Sequence, residues 1–132
     1  MNILKGEIES VTVRKSLSLV KIKVGNFHLT TIVIDTPESS PYLHPGNSVN
    51  AIFKETEVII GKGNDHQISL QNKLTGTIES IESGDILSKV TLETEVGKIV
   101  SVITTNAVTQ LQLTIGVEVT AMVKTNEVML SE

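Results

Sequence analysis

Asn2-Ile3-Leu4-Lys5-Gly6-Glu7-Ile8-Glu9-Ser10 is answered seventy positions later by Asn72-Lys73-Leu74-Thr75-Gly76-Thr77-Ile78-Glu79-Ser80. The same offset, with no gap, carries Leu17-Ser18 onto Leu87-Ser88, Leu43 onto Leu113 and Gly46 onto Gly116. It carries Val49, Ala51, Lys54, Glu57 and Val58 onto Val119, Ala121, Lys124, Glu127 and Val128. A register held from end to end marks an internal duplication, and a repeat decides the architecture before any motif is weighed. The chain divides into a first repeat (residues 1–61), a linker and lead-in (residues 62–71) and a second repeat (residues 72–132).

The second repeat is the cleaner copy. Leu74, Gly76, Ile78 and Ser80 alternate with Thr75, Thr77 and Glu79, the period of a strand. Ser83-Gly84-Asp85 is a turn. Ile86, Ser88, Val90 and Leu92 make a second alternating strand, and Glu95-Val96-Gly97-Lys98 closes a hairpin. Ile99 to Thr104 is apolar at nearly every position and reads as a strand buried on both faces. Thr105-Asn106-Ala107-Val108-Thr109-Gln110-Leu111 then reads as a short helix with Thr105 at its cap, Val108 and Leu111 sharing a face. Gly116 stops it. Val117, Val119, Ala121 and Val123 form a fourth strand, Thr125-Asn126 turns the chain, and Val128 and Leu130 make a fifth. The first repeat follows the same plan, but Pro41 in Thr36-Pro37-Glu38-Ser39-Ser40-Pro41-Tyr42 limits its helix to one turn or less. The expected fold class is all-β: two tandem OB-like five-stranded barrels, each with a short helix between its third and fourth strands.

Composition narrows the function. Units of about 60 residues bury only about 60% of their unfolded surface, so pairing or oligomerisation is expected. The chain has two Phe, one Tyr and no Trp, which leaves few platforms for stacking bases. Its net charge of −4, from 11 basic and 15 acidic residues, supplies no positive footprint for nucleic acid. Without cysteine there is no disulfide framework and no thiolate metal site. No secretory leader and no membrane-length apolar run are visible, so a soluble cytoplasmic protein with no membrane partner is expected. The three histidines, His28, His44 and His66, stand far apart, and no nucleophile motif or phosphate loop occurs. An enzyme is not expected.

Three segments carry a more specific signal. Ile68-Ser69-Leu70-Gln71-Asn72-Lys73-Leu74 leads into the second repeat. Val102-Ile103-Thr104-Thr105-Asn106 lies at its centre, and Ala121-Met122-Val123-Lys124-Thr125-Asn126-Glu127-Val128-Met129-Leu130 ends it. In order and spacing this set resembles the Mop domain of the molbindins, small molybdate- and tungstate-binding proteins. Members typically open with a Ser-Ala-Arg-Asn-like lead-in and a Leu-x-Gly strand. They continue with an Ile-Thr-x-x-Ser turn into a short helix. They close with a Leu-x-x-Gly stretch, then Val-x-Ala-x-Ile-Lys and a Val-Met-Leu-like strand. The tandem resembles the di-Mop molbindins and the ligand-sensing half of the molybdate-responsive transcription regulator.

The resemblance implies a ligand, molybdate or tungstate, bound where Mop units meet. Ser69, Gln71, Asn72, Lys124 and Thr125 would come from one unit and Thr104, with Thr105 beside it, from a neighbour. Lys54 is the first-repeat counterpart of Lys124. It further implies a trimer of di-Mop chains. The residue chemistry agrees: a tetrahedral dianion needs converging hydroxyls, amides and an ammonium, and a helix start offers unpaired N–H groups. Taken singly, each residue has a plainer use: a lysine keeps a strand edge soluble, and Thr105 caps a helix.

Departures from the family pattern lower the expected number of sites. Gln71 stands where the family has arginine, and Ala107 where it has serine. In the first repeat Ile34 replaces the turn threonine, Asp35 would repel a dianion, and no lead-in precedes Asn2. The expectation is reversible storage or buffering of the oxyanion, concentrated on second-repeat residues. The alternatives are a sensing module of a regulator or transporter and, less well supported, a nucleic-acid-binding OB module.

Overall fold

The computed structural model describes residues 1–132. Five strands belong to the first repeat: β1 (Asn2–Arg14), β2 (Leu17–Val24), β3 (Phe27–Val33), β4 (Ser48–Phe53) and β5 (Ile59–Lys62). The second repeat supplies β6 (Asn72–Ser83), β7 (Leu87–Thr94), β8 (Gly97–Thr104), the helix α1 (Thr105–Gln110), β9 (Glu118–Val123) and β10 (Met129–Ser131). They assemble into two antiparallel five-stranded sheets, ordered β10-β4-β1-β2-β3 and β5-β9-β6-β7-β8. In each, the end strands approach one another, β3 near β10 and β8 near β5.

β1 and β6 are the spines of the two sheets. The first half of β1 pairs with β4 (Asn2↔Phe53 to Glu7↔Ser48) and the second half with β2 (Glu7↔Lys23 to Arg14↔Leu17), with a bulge between Ile8 and Ser10. β6 repeats this, with its bulge between Ile78 and Ser80. A bulge bends a strand and adds twist, which lets one strand serve two partners lying in different directions. The glycine before each bulge has a steric reason. A Cβ on Gly6 would stand 2.7 Å from the Lys23 carbonyl oxygen, and one on Gly76 would stand 2.8 Å from that of Glu93. Only glycine lets the backbones come so close.

Each sheet takes one outer strand from the other repeat. β5 pairs with β9 (Ile59↔Met122 to Lys62↔Val119), and β10 pairs with β4 (Met129↔Ile52 to Ser131↔Asn50). A single 3-10 turn, Glu55–Glu57 or Thr125–Glu127, redirects the chain between the extended Lys54 or Lys124 and the buried Val58 or Val128. The five strands read in each repeat are therefore present, but the fifth is exchanged. The exchange merges two small interiors into one apolar cluster of 22 buried residues drawn from both repeats. That answers the burial problem of a 60-residue unit inside one chain.

Polar clamps repeat across the same junction. Asn2 donates from Nδ2 to the Val100 carbonyl (2.8 Å) and accepts from the Val100 N–H (2.8 Å). Seventy positions on, Asn72 donates to the Thr30 carbonyl (2.8 Å) and accepts from the Thr30 N–H (2.7 Å). Thr31 Oγ1 donates to the Val128 carbonyl (2.6 Å), and its counterpart Ser101 Oγ donates to that of Val58 (2.8 Å). These side chains are buried and hydrogen-bonded, as buried polar groups must be.

Three sequence expectations need correction. Between β3 and β4 the first repeat has no helix: residues 37–39 form turns, closed by Ser40 N–H to the Thr36 carbonyl (2.8 Å), and Pro41 has no N–H to continue them. The helix cap is Thr104, whose hydroxyl accepts from the Ala107 N–H (3.1 Å), and Thr105 is already helical. β8 is a sheet end, and only Ile99 and Ser101 along it are fully buried.

Candidate functional site

The ladder between β6 and β9 builds the site. Asn72 pairs with Val123, so the next residues outward, Gln71 and Lys124, come side by side as both chains leave the sheet. The 3-10 turn Thr125–Glu127 then folds back, with Glu127 N–H donating to the Lys124 carbonyl (3.0 Å). The result is a cleft of about 70 Å³ lined by Ser69, Leu70, Gln71, Lys124 and Thr125. Four of the five expected lead-in and lysine-side residues thus share one wall. The Lys124 ammonium takes part in none of the chain's three ion pairs. Thr125 spends its carbonyl, not its hydroxyl, on Thr31 (3.2 Å). No carboxylate lines the cleft, so it offers one cation, two hydroxyls and a carboxamide to an anion.

The other expected residues lie elsewhere. Asn72 is 2% exposed and its carboxamide is committed to Thr30 on both sides, which makes it a clamp between the halves. Thr105 donates to the Gly84 carbonyl (2.8 Å) and shares a 2.8 Å hydrogen bond with Ser88 Oγ, so its hydroxyl holds the β6–β7 turn to the helix. Thr104 is exposed, and with its oxygen accepting from Ala107 its hydroxyl proton is free to donate outward. Thr104 does not line the Lys124 cleft. It pairs with Leu87, beside the Ser83 end of β6, whereas the cleft opens at the Asn72 end. Along β6 those ends are roughly 35 Å apart at about 3.3 Å per residue.

Other cavities and clusters offer less. An apolar void of about 20 Å³ between the halves, lined by Asn72 and ten apolar residues, is too small for a ligand. No group of three or more His, Cys, Asp or Glu is placed to hold a metal ion. No helix is long and apolar enough to cross a membrane.

Comparison with known proteins bears on this arrangement. The TOBE domain family matches residues 68–130. The cytoplasmic molybdate-binding protein ModG, whose crystal structure holds bound molybdate, is 30% identical; it aligns over 98% of this chain and 94% of its own with a TM-score of 0.92. The chain belongs to the Mop/TOBE-type molbindins. The molybdenum-pterin-binding proteins MopB and MopA of Rhodobacter capsulatus are each 29% identical, over 95% and 98% of this molbindin chain. The chain spans about half the length of these two relatives, 47% and 50%.

Within this molbindin the two repeats differ where it matters. Thr125 has Glu55 as its counterpart, so in the first repeat a carboxylate sits next to Lys54. Glu55 Oε2 lies 3.4 Å from the Met1 amino group. Lys54 thus has a carboxylate as its chain neighbour where Lys124 has a hydroxyl, and Ile34, the counterpart of Thr104, is 81% exposed with no side-chain hydrogen-bond donor. Glu55 was missed in the sequence reading, although the seventy-residue offset places it directly on Thr125. Leu70 was also unassigned as a wall of the cleft, since an apolar lead-in residue carries no donor to draw attention.

Proposed function

We propose that this protein binds molybdate reversibly, without chemistry, in the cleft walled by Ser69, Gln71, Lys124 and Thr125. The observation that carries the reading is the unpaired Lys124 ammonium beside hydroxyl and amide donors in a cleft free of carboxylates. A dianion there gains charge-assisted hydrogen bonds, which are about twice as strong as neutral ones. The likeness to ModG over nearly the whole chain supports molybdate as the anion, and tungstate, of the same shape and charge, is the natural second ligand. Because Thr104 and the cleft lie at opposite ends of β6, a Thr104 donor would have to come from another copy. An oligomer of this chain, a trimer by family resemblance, would complete the site. Reversible binding without chemistry suits storage or buffering, and the likeness to the cytoplasmic ModG supports the cytoplasm as its place.

Calorimetric titration with molybdate, with and without excess sulfate, alongside native mass measurement, tests the proposal. Heat with molybdate that survives excess sulfate is the expected result. No heat for molybdate at millimolar concentration would end it, and a strictly monomeric loaded protein would remove the shared site.

A further inference from the structure

We propose that His66 is the positioning residue of the anion cleft. The inference rests on the molybdate reading, because what His66 fixes is the lead-in wall that carries Ser69 and Gln71. Residues 63–71 form no strand, yet their first half is pinned. Gly63 N–H donates to the Glu118 carbonyl (2.8 Å) and the Gly63 carbonyl accepts from Thr120 Oγ1 (2.7 Å). Asn64 Nδ2 donates to Glu118 Oε1 (2.8 Å), and Lys73 Nζ to the His66 carbonyl (2.9 Å).

The imidazole of His66 occupies a seat that only glycine leaves open. A Cβ on Gly61 would lie 2.8 Å from His66 Cε1, 2.9 Å from its Nε2 and 2.8 Å from Met122 Cε. In that seat Nε2 is buried and has no hydrogen-bond partner. An orphaned polar atom in a folded chain calls for a reason. The reason offered here is anchorage: with the ring seated and Asn72 clamped to Thr30, only residues 67–71 span between fixed points. Without the seat, only the exposed Lys73 hydrogen bond to the His66 carbonyl holds the chain between Asn64 and Asn72, and a freer segment must be ordered each time an anion binds.

The test uses the full chain with molybdate as titrant at neutral pH, and backbone order parameters of residues 67–71 in the anion-free protein. His66→Ala should lower those order parameters and weaken molybdate binding about tenfold at neutral pH. His66→Phe, which keeps an aromatic ring in the seat, should restore both. Gly61→Ala, which fills the seat and leaves His66 in place, should behave as His66→Ala. Unchanged order parameters in His66→Ala, or a His66→Phe protein as loose and as weak in binding as His66→Ala, would overturn the assignment. If the wild type takes up no molybdate, the molybdate reading fails, while the order parameters still decide whether His66 holds the segment.

Discussion

Thr125→Glu writes the first repeat's residue into the second repeat's cleft, and its cost can be worked out beforehand. The backbone accepts the change, because the turn carrying Glu55 is a copy of the one carrying Thr125. Lys54 and Lys124 have φ/ψ of −72/146 and −68/149, and Val58 and Val128 have −88/120 and −97/121. Two terms then act on the bound anion. Loss of the hydroxyl donor removes about 1 kcal/mol. A new carboxylate about 5 Å from a dianion adds roughly 1.7 kcal/mol of repulsion at the dielectric constant of water, the apt value for an open cleft. Together they amount to about 3 kcal/mol, or roughly a hundredfold in Kd. Calorimetric titration with molybdate at neutral pH and low salt measures it, and the repulsive share should shrink at high salt. Anion-free stability should stay within about 0.5 kcal/mol of wild type by urea denaturation. A Thr125→Glu protein that binds molybdate within threefold of wild type would refute the assignment of the anion to this cleft.

Three further outcomes are expected. Lys124→Ala should weaken molybdate binding about 10- to 100-fold through loss of one charge-assisted bond, while Lys54→Ala, beside Glu55, should leave calorimetric Kd within about twofold of wild type. Asn72→Ala strands a half-buried N–H and carbonyl of Thr30 and should cost about 1–3 kcal/mol in urea denaturation; Asn2→Ala should cost a similar amount through Val100, and a large inequality would count against equivalent clamps. The Tyr42 phenol is pushed above its ordinary 10.0 by burial first and then by the negative charges of Asp35 and Glu132. Folded Tyr42 therefore holds its proton more tightly than the unfolded chain does, so its contribution is whole below about pH 10 and drains away as pH rises through the higher folded value. Tyr42→Phe should flatten that alkaline decline in thermal denaturation.

Much of the fold was legible because the duplication shows every strand twice. Alternation in Leu74–Ser80 and Val117–Lys124, turn residues at Ser83-Gly84-Asp85 and Gly116, and the glycines at 6 and 76 all mark local geometry, and local geometry is what a sequence writes most directly. The exchange of β5 and β10 was not legible for the opposite reason. Ile59-Ile60 and Met129-Leu130 fit equally against β4 or β9, since the two slots are themselves copies, and nothing in a strand names its partner. The cap fell on Thr104 where Thr105 was expected because neighbouring threonines carry the same hydroxyl, and helix ends shift by a residue or so. On the site, side-by-side placement of Gln71 and Lys124 followed from motif order. The commitment of Asn72 to Thr30 did not, because a carboxamide that binds an anion and one that grips a backbone look alike in one dimension.

The strand exchange governs how the two copies are free to drift apart. Residues 59–62 must suit the ladder of the second repeat and residues 129–131 that of the first, so a change in either copy is judged by the interior of its twin. The rim is less bound by this mutual supervision. There Ile34 stands opposite Thr104 and Glu55 opposite Thr125, so one scaffold presents two chemically different rims.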